Sequence, residues 1–143
     1  MINDLWFMIN FGSIWWFFEE MKSEDENIIV AKSKDFALRC IRLYQLLVKE
    51  RGEFVLSKQL LRSGTSIGAN VKEAIRGQSK ADFGAKMNIA LKEASESEYW
   101  IELLGESEII TEKEFESMII DCRSLIKILT SIVKTTFNTM HNV

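Results

Sequence analysis

Lys58, Arg62, Thr65, Lys72 and Arg76 recur at steps of four, three, seven and four, a spacing that places side chains on one side of an α-helix. The line of cations is about 27 Å long at helical rise. Such a line can neutralise the phosphates of a polyanion, each contact releasing counterions and making the affinity salt-sensitive. Arg39, Arg42 and Lys49 form a similar row upstream, and Lys80, Lys86 and Lys92 extend the basic half downstream. The rows themselves hold no aromatic residue, so ordered single-strand recognition by base stacking is not indicated. The candidate phosphate contacts are Arg39, Arg42, Lys58, Arg62, Lys72, Arg76 and Lys80.

A second row, Arg62, Ser66, Asn70 and Glu73, follows steps of four, four and three. It reads either as a buried hydrogen-bonded network that fixes helix register or as a recognition surface. Glu93, Glu96, Glu98, Glu102, Glu106 and Glu108 crowd one helix end, where the dipole prefers bases. Paired carboxylates suit metal ligation or acid–base work, but no histidine or lysine accompanies this group. His141 is the single histidine and lies three residues from the end. That removes Ser-His-Asp and Cys-His catalysis from the folded body, along with imidazole zinc sites. Cys40 and Cys122 fall at apolar helical positions and read as buried free thiols. Phosphate-binding glycine loops are missing too. The expectation is a non-enzyme with no cofactor and no metal.

The net charge of −3 conceals segregation by sign. Residues 1–30 sum to −5, 31–92 to +8, 93–121 to −9 and 122–143 to +3. A basic half and an acidic hairpin in one molecule suit head-to-tail self-association, and a heterologous contact of that kind closes into a ring. Residues 5–18, LWFMINFGSIWWFF, form an apolar run. It is short for a membrane span and lacks the basic flank of a secretory signal. It reads as translation from an upstream start with Met21 the natural one, as an interfacial or partner-binding anchor, or as a true span. A cytoplasmic protein is expected.

The elements that must carry these residues are helices, and the chain has no proline to interrupt them. The first helix is expected over about Lys34–Lys49, with Phe36, Cys40, Leu43 and Leu47 as one stripe. Ala37, Ile41, Tyr44 and Val48 form its neighbour, and the two together make a broad apolar face. The second helix spans about Ser57–Gly77, with Leu60, Gly64, Ile67, Val71 and Ala74 inward. Gly64 and Gly68 each cost about 1 kcal/mol relative to alanine, so close approach of another helix should compensate. Ser79-x-x-Asp82 and Thr111-x-x-Glu114 mark the starts of the third and fourth helices. Phe83, Met87, Ala90, Ala94, Ser97, Ile101 and Leu104 line the third. Phe115, Ile119, Cys122, Ile126, Leu129 and Val133 line the fourth. Short connectors favour antiparallel neighbours. The expected fold is all-α, an up-and-down four-helix bundle over 31–138, with an extension at 1–30 and a flexible tail at 139–143.

LSKQLLRSGTSIGANVKEA (Leu56–Ala74) and ADFGAKMNIALKEASESEYWIELL (Ala81–Leu104) resemble the four-helix-bundle proteins encoded within intervening sequences of bacterial 23S ribosomal RNA genes. The accessory protein of diversity-generating retroelements is a more distant relative. The similarity runs from about Phe36 to Phe137. It implies a homopentameric ring with a basic surface that binds nucleic acid, RNA over DNA, without catalysis. The alternative it leaves open is an oligomerisation or adaptor module for a protein partner such as a reverse transcriptase. Arg62, Ser66, Asn70 and Glu73 match the RS-x-x-S-I-x-x-N-x-x-E pattern, and Glu98 matches the S-x-E-Y-W segment. Gly64 and Lys72 depart from that pattern, where alanine is more usual.

Overall fold

The computed structural model describes residues 28–141. Four α-helices account for nearly all of them: α1 over residues 28–51, α2 Leu56–Ile75, α3 Lys80–Glu106 and α4 Glu112–His141. The apolar run 5–18 and the proposed start at Met21 lie outside the described residues.

Neighbouring helices run antiparallel. Ser33 and Cys40 of α1 face Gly68 and Gly64 of α2, and Ser63 of α2 faces Ser97 of α3. The Cys122 thiol of α4 donates to the Ala94 carbonyl of α3 at 3.3 Å. The ring of helices closes where Arg39 of α1 reaches Asp121 of α4. The expected up-and-down bundle is therefore the fold.

Its core is built mostly from the stripes that the periodicity predicts, joined on α4 by Met118 and Leu125, which the expected stripe left out. Phe36, Cys40, Leu43 and Leu47 of α1 are buried, with Leu60, Ile67, Val71 and Ala74 of α2. Met87, Ala90, Ala94, Ile101 and Leu104 of α3 join them, with Ile119, Cys122 and Leu129 of α4. Phe83, Phe115, Ile126 and Val133 are only partly buried and pack against the edge of this core. The two cysteines are free and buried, and burial pushes both thiols up to about 12, so they stay protonated.

The glycines of α2 have the compensation they need. A Cβ at Gly64 would run into Cys40 Sγ and lie 3.2 Å from Cys40 Cβ. A Cβ at Gly68 would lie 3.4 Å from Ser33 Oγ. Helices α1 and α2 approach closely because those side chains are missing.

The helix ends follow the capping signals. Ser79 Oγ accepts from the Asp82 amide at 3.0 Å. Thr111 Oγ1 accepts from the Glu114 amide at 3.1 Å, and Glu114 Oε2 accepts in return from the Thr111 amide at 2.9 Å. Gly52 takes φ +64° just past α1, a conformation that costs glycine no Cβ clash. Glu53 then caps α2, its carboxylate accepting from the amides of Val55, Leu56 and Ser57. Those bonds hold it below the usual carboxylate range against the opposing effect of desolvation.

Three boundaries and one face differ from expectation. α1 reaches back at least to residue 28, because Ile29 and Ser33 continue its buried stripe backwards. α2 stops at Ile75, two residues before Gly77. α4 continues to His141, into the stretch expected as a tail. The second apolar stripe of α1 does not enter the core: Ile41 and Val48 are exposed, and Ala37 and Tyr44 are half-buried. On α1 a single row, Ile29, Ser33, Phe36, Cys40, Leu43 and Leu47, enters the core, and the neighbouring row is left on the outside.

Candidate nucleic-acid interface

The outward face of α2 is set by what its other faces do. Leu60, Ile67, Val71 and Ala74 point to the core, Gly64 and Gly68 face α1, and Ser63 faces α3. Lys58, Lys72 and Arg76 lie opposite the core residues and are exposed. None of the three has an ion pair among the described residues. Thr65, in the same row, is half-buried and donates its hydroxyl to the Leu61 carbonyl at 2.7 Å.

Arg62 does not belong to that free row. Its guanidinium hydrogen-bonds Glu96 of α3 and lies 3.6 Å from Glu93. The Glu96 carboxylate raises the Arg62 pKa. In return Arg62, followed by Trp100 Nε1 donating at 3.1 Å, holds Glu96 below its ordinary value. Glu93 Oε2 is buried without a hydrogen-bond partner among the described residues, so the nearby Arg62 charge is what compensates it.

Arg39 is likewise engaged. It pairs with Asp121 at 2.5 Å and donates to the carbonyl and hydroxyl of Ser117. This turns the α1 row towards α4, away from the α2 row, so the two basic rows do not merge into one surface. Arg42 is exposed on α1 and Lys80 is exposed at the start of α3. Both lack an ion pair among the described residues.

The row Arg62, Ser66, Asn70 and Glu73 runs along the edge of α2 that meets α3. Ser66 and Asn70 are half-buried, and their side chains donate to their own helix, to the Arg62 carbonyl at 2.6 Å and the Ser66 carbonyl at 2.8 Å. Glu73 is exposed and pairs with Lys86 of α3 at 3.1 Å. These residues are therefore no buried network. The interior polar contact is instead between the hydroxyls of Ser63 and Ser97, 2.8 Å apart and both buried. Glu98 stands apart from the row: it accepts from Arg123 Nε of α4 at 3.1 Å, while Arg123 also lies 3.6 Å from Glu102.

Four of the crowded acids of α3 are thus countered from within, Glu93 and Glu96 by Arg62 and Glu98 and Glu102 by Arg123. A further clamp joins Arg51, at the end of α1, to Glu114, at the start of α4, through two bonds of 2.8 and 2.7 Å. Arg51 also donates to the Ile109 carbonyl at 2.9 Å. The Arg51 guanidinium holds Glu114 down at about 2. The capping pattern marked Glu114 in the sequence, but nothing there marked Arg51 as its partner.

Among the described residues no three His, Cys, Asp or Glu side chains converge as a metal site. No described helix is long and apolar enough to cross a membrane.

The family model described as 23S rRNA-intervening sequence protein matches residues 25–131. A solved protein of unknown function from the S23 ribosomal protein family of Bacteroides thetaiotaomicron is 55% identical, with a TM-score of 0.76. The match covers 77% of this chain and 98% of that one. No curated protein matches the chain.

Proposed function

Since this chain belongs to the 23S rRNA-intervening sequence protein family, we propose that it is a non-enzymatic, cytoplasmic bundle that binds structured RNA. In this reading it self-assembles into a ring, a homopentamer by resemblance, and presents α2 to the phosphate backbone. The observation that carries the reading is the exposed row of Lys58, Lys72 and Arg76, without ion pairs among the described residues. Cations already satisfied within the bundle offer a phosphate little; unpaired ones offer full charge and release counterions. The row is straight and holds no stacking group, so it suits the backbone of a folded duplex better than splayed bases. Lys80, exposed at the start of α3, is an auxiliary contact. Arg39 and Arg62 serve the bundle instead, so the informative variant is Lys72→Ala with Arg76→Ala.

The test is binding of a hairpin RNA and of duplex DNA at two or more salt concentrations. The wild type should bind more weakly as salt rises. Lys72→Ala with Arg76→Ala should flatten the slope of log affinity against log salt by about 0.7–0.9 per lost contact. No binding at low salt, or an affinity indifferent to salt, would reject the reading.

A further inference from the structure

We propose that the ring contact joins the exposed seam of α1 on one copy to the outer, C-terminal half of α3 on the next. The proposal rests on the self-association in the reading above and assigns its two faces. The α1 seam consists of Ala37, Ile41, Tyr44 and Val48, at steps of four, three and four, with Leu38 beside it. Leu38, Ile41 and Val48 are 40%, 36% and 39% exposed. A row with this spacing is the seam that one helix offers another, and it stays open at Ile41 and Val48, with Ala37 and Tyr44 half-buried. It is about 17 Å long at helical rise. Its rim is basic, with Lys34, Arg42 and Lys49 exposed on α1.

The complementary face is on α3. Glu96, Tyr99, Leu103 and Glu106 follow steps of three, four and three, about 15 Å in length. Tyr99 is 53% exposed. Its ring leans on Trp100 with centroids 5.2 Å apart, and Trp100 is tied to Glu96. A large aromatic held by its neighbours is the kind of side chain that anchors an interface. The rim is acidic: Glu102, which also faces Arg123, lies beside this row, and Glu106 at its end is exposed and has no ion pair among the described residues. An apolar seam with a basic rim therefore has, on the same molecule, an apolar anchor with an acidic rim and similar length. Charge complementarity of this sort sets the register and excludes like faces.

The geometry also makes the contact heterologous. α2 and α4 each touch both α1 and α3, so α1 and α3 stand at diagonal corners and their outer faces point apart. Each copy then uses one face for the copy before it and the other for the copy after.

Light scattering of two variant full-length chains tests this. Ile41→Glu with Val48→Glu breaks the α1 face, and Tyr99→Glu with Leu103→Glu breaks the α3 face. Each should run as a monomer with wild-type helix content by circular dichroism. Mixed in equal amounts, they should form a one-to-one heterodimer and nothing larger, since one intact face of each kind remains. Wild-type assembly mass in either variant, or a mixture that stays monomeric, overturns the face assignment. A wild type that is itself monomeric overturns the self-association reading as a whole. If an apolar variant fails to fold, charge reversal supplies the second arm. Arg42→Glu with Lys49→Glu should weaken assembly about tenfold or more, and adding Glu102→Lys with Glu106→Lys should restore it. Absence of restoration also overturns the assignment.

Discussion

Helix α1 meets its two neighbours by opposite means. Towards α2 the contact is made of small groups: Gly64 against Cys40 and Phe36, and Gly68 against Ser33. No side-chain hydrogen bond or ion pair joins these two helices among the described residues. Towards α4 the contact is tied by charge, through Arg39 to Asp121 and Ser117 and through Arg51 to Glu114. Close packing is insensitive to salt and acid, whereas ion pairs respond to both. The steric side also explains why α2 keeps its outer cations: its edge towards α1 carries no acid to pair with them. The ionic side explains why Arg39 is withdrawn from any external partner.

The steric side should break hardest. Gly64→Ala puts a methyl where Cys40 Sγ stands, and overpacking of this sort costs about 1–3 kcal/mol. The expected result is a urea midpoint lowered from the wild type by the same amount at low and high salt. Shortening the neighbour with Cys40→Ala should recover part of the loss in the double variant. A Gly64→Ala chain as stable as the wild type would mean that α1 can move away freely.

The clamp between Arg51 and Glu114 comes next. Glu114→Ala removes both the bidentate pair and the return bond of the capping box, at a cost of about 1–2 kcal/mol. Its pH dependence has a definite sign. The folded value of about 2 lies below the ordinary 4.5, so ionised Glu114 favours the folded chain. That stability is fully present above pH 4.5 and is lost as the pH falls towards 2. The gap in urea midpoint between wild type and Glu114→Gln should shrink over that window.

Periodicity made most of this molecule readable, and its failures have a common cause. The stripes Phe36–Leu47 and Leu60–Ala74 were legible because their apolar residues keep one face for several turns. The first turns of α1 were not, because Ser33 sits between two lysines in the sequence while Gly68 buries it in the fold. The seam Ile41–Val48 looked like core for a related reason: spacing shows that a face is apolar, not which element covers it. The basic row of α2 was legible as a row. That Arg62 and Arg39 are already taken was not, since their partners lie 34 and 82 residues away.

The smallest effect expected is at Arg39, and it separates the two kinds of arginine most cleanly. Arg39 and Asp121 are partly exposed, with side chains 31% and 48% accessible. Such a pair contributes about 0.5–1 kcal/mol, and less as salt rises. Arg39→Ala should therefore lower the thermal midpoint by a few degrees at 50 mM salt and by less at 1 M, about as a loss of that size implies. Its affinity for a hairpin RNA, and the salt slope of that affinity, should match the wild type, while Lys72→Ala with Arg76→Ala shows the reverse pattern of unchanged melting and a flattened slope. If Arg39→Ala weakens RNA binding as much as the α2 variant does, the pair to Asp121 opens in the complex, and the two basic rows act on one ligand after all.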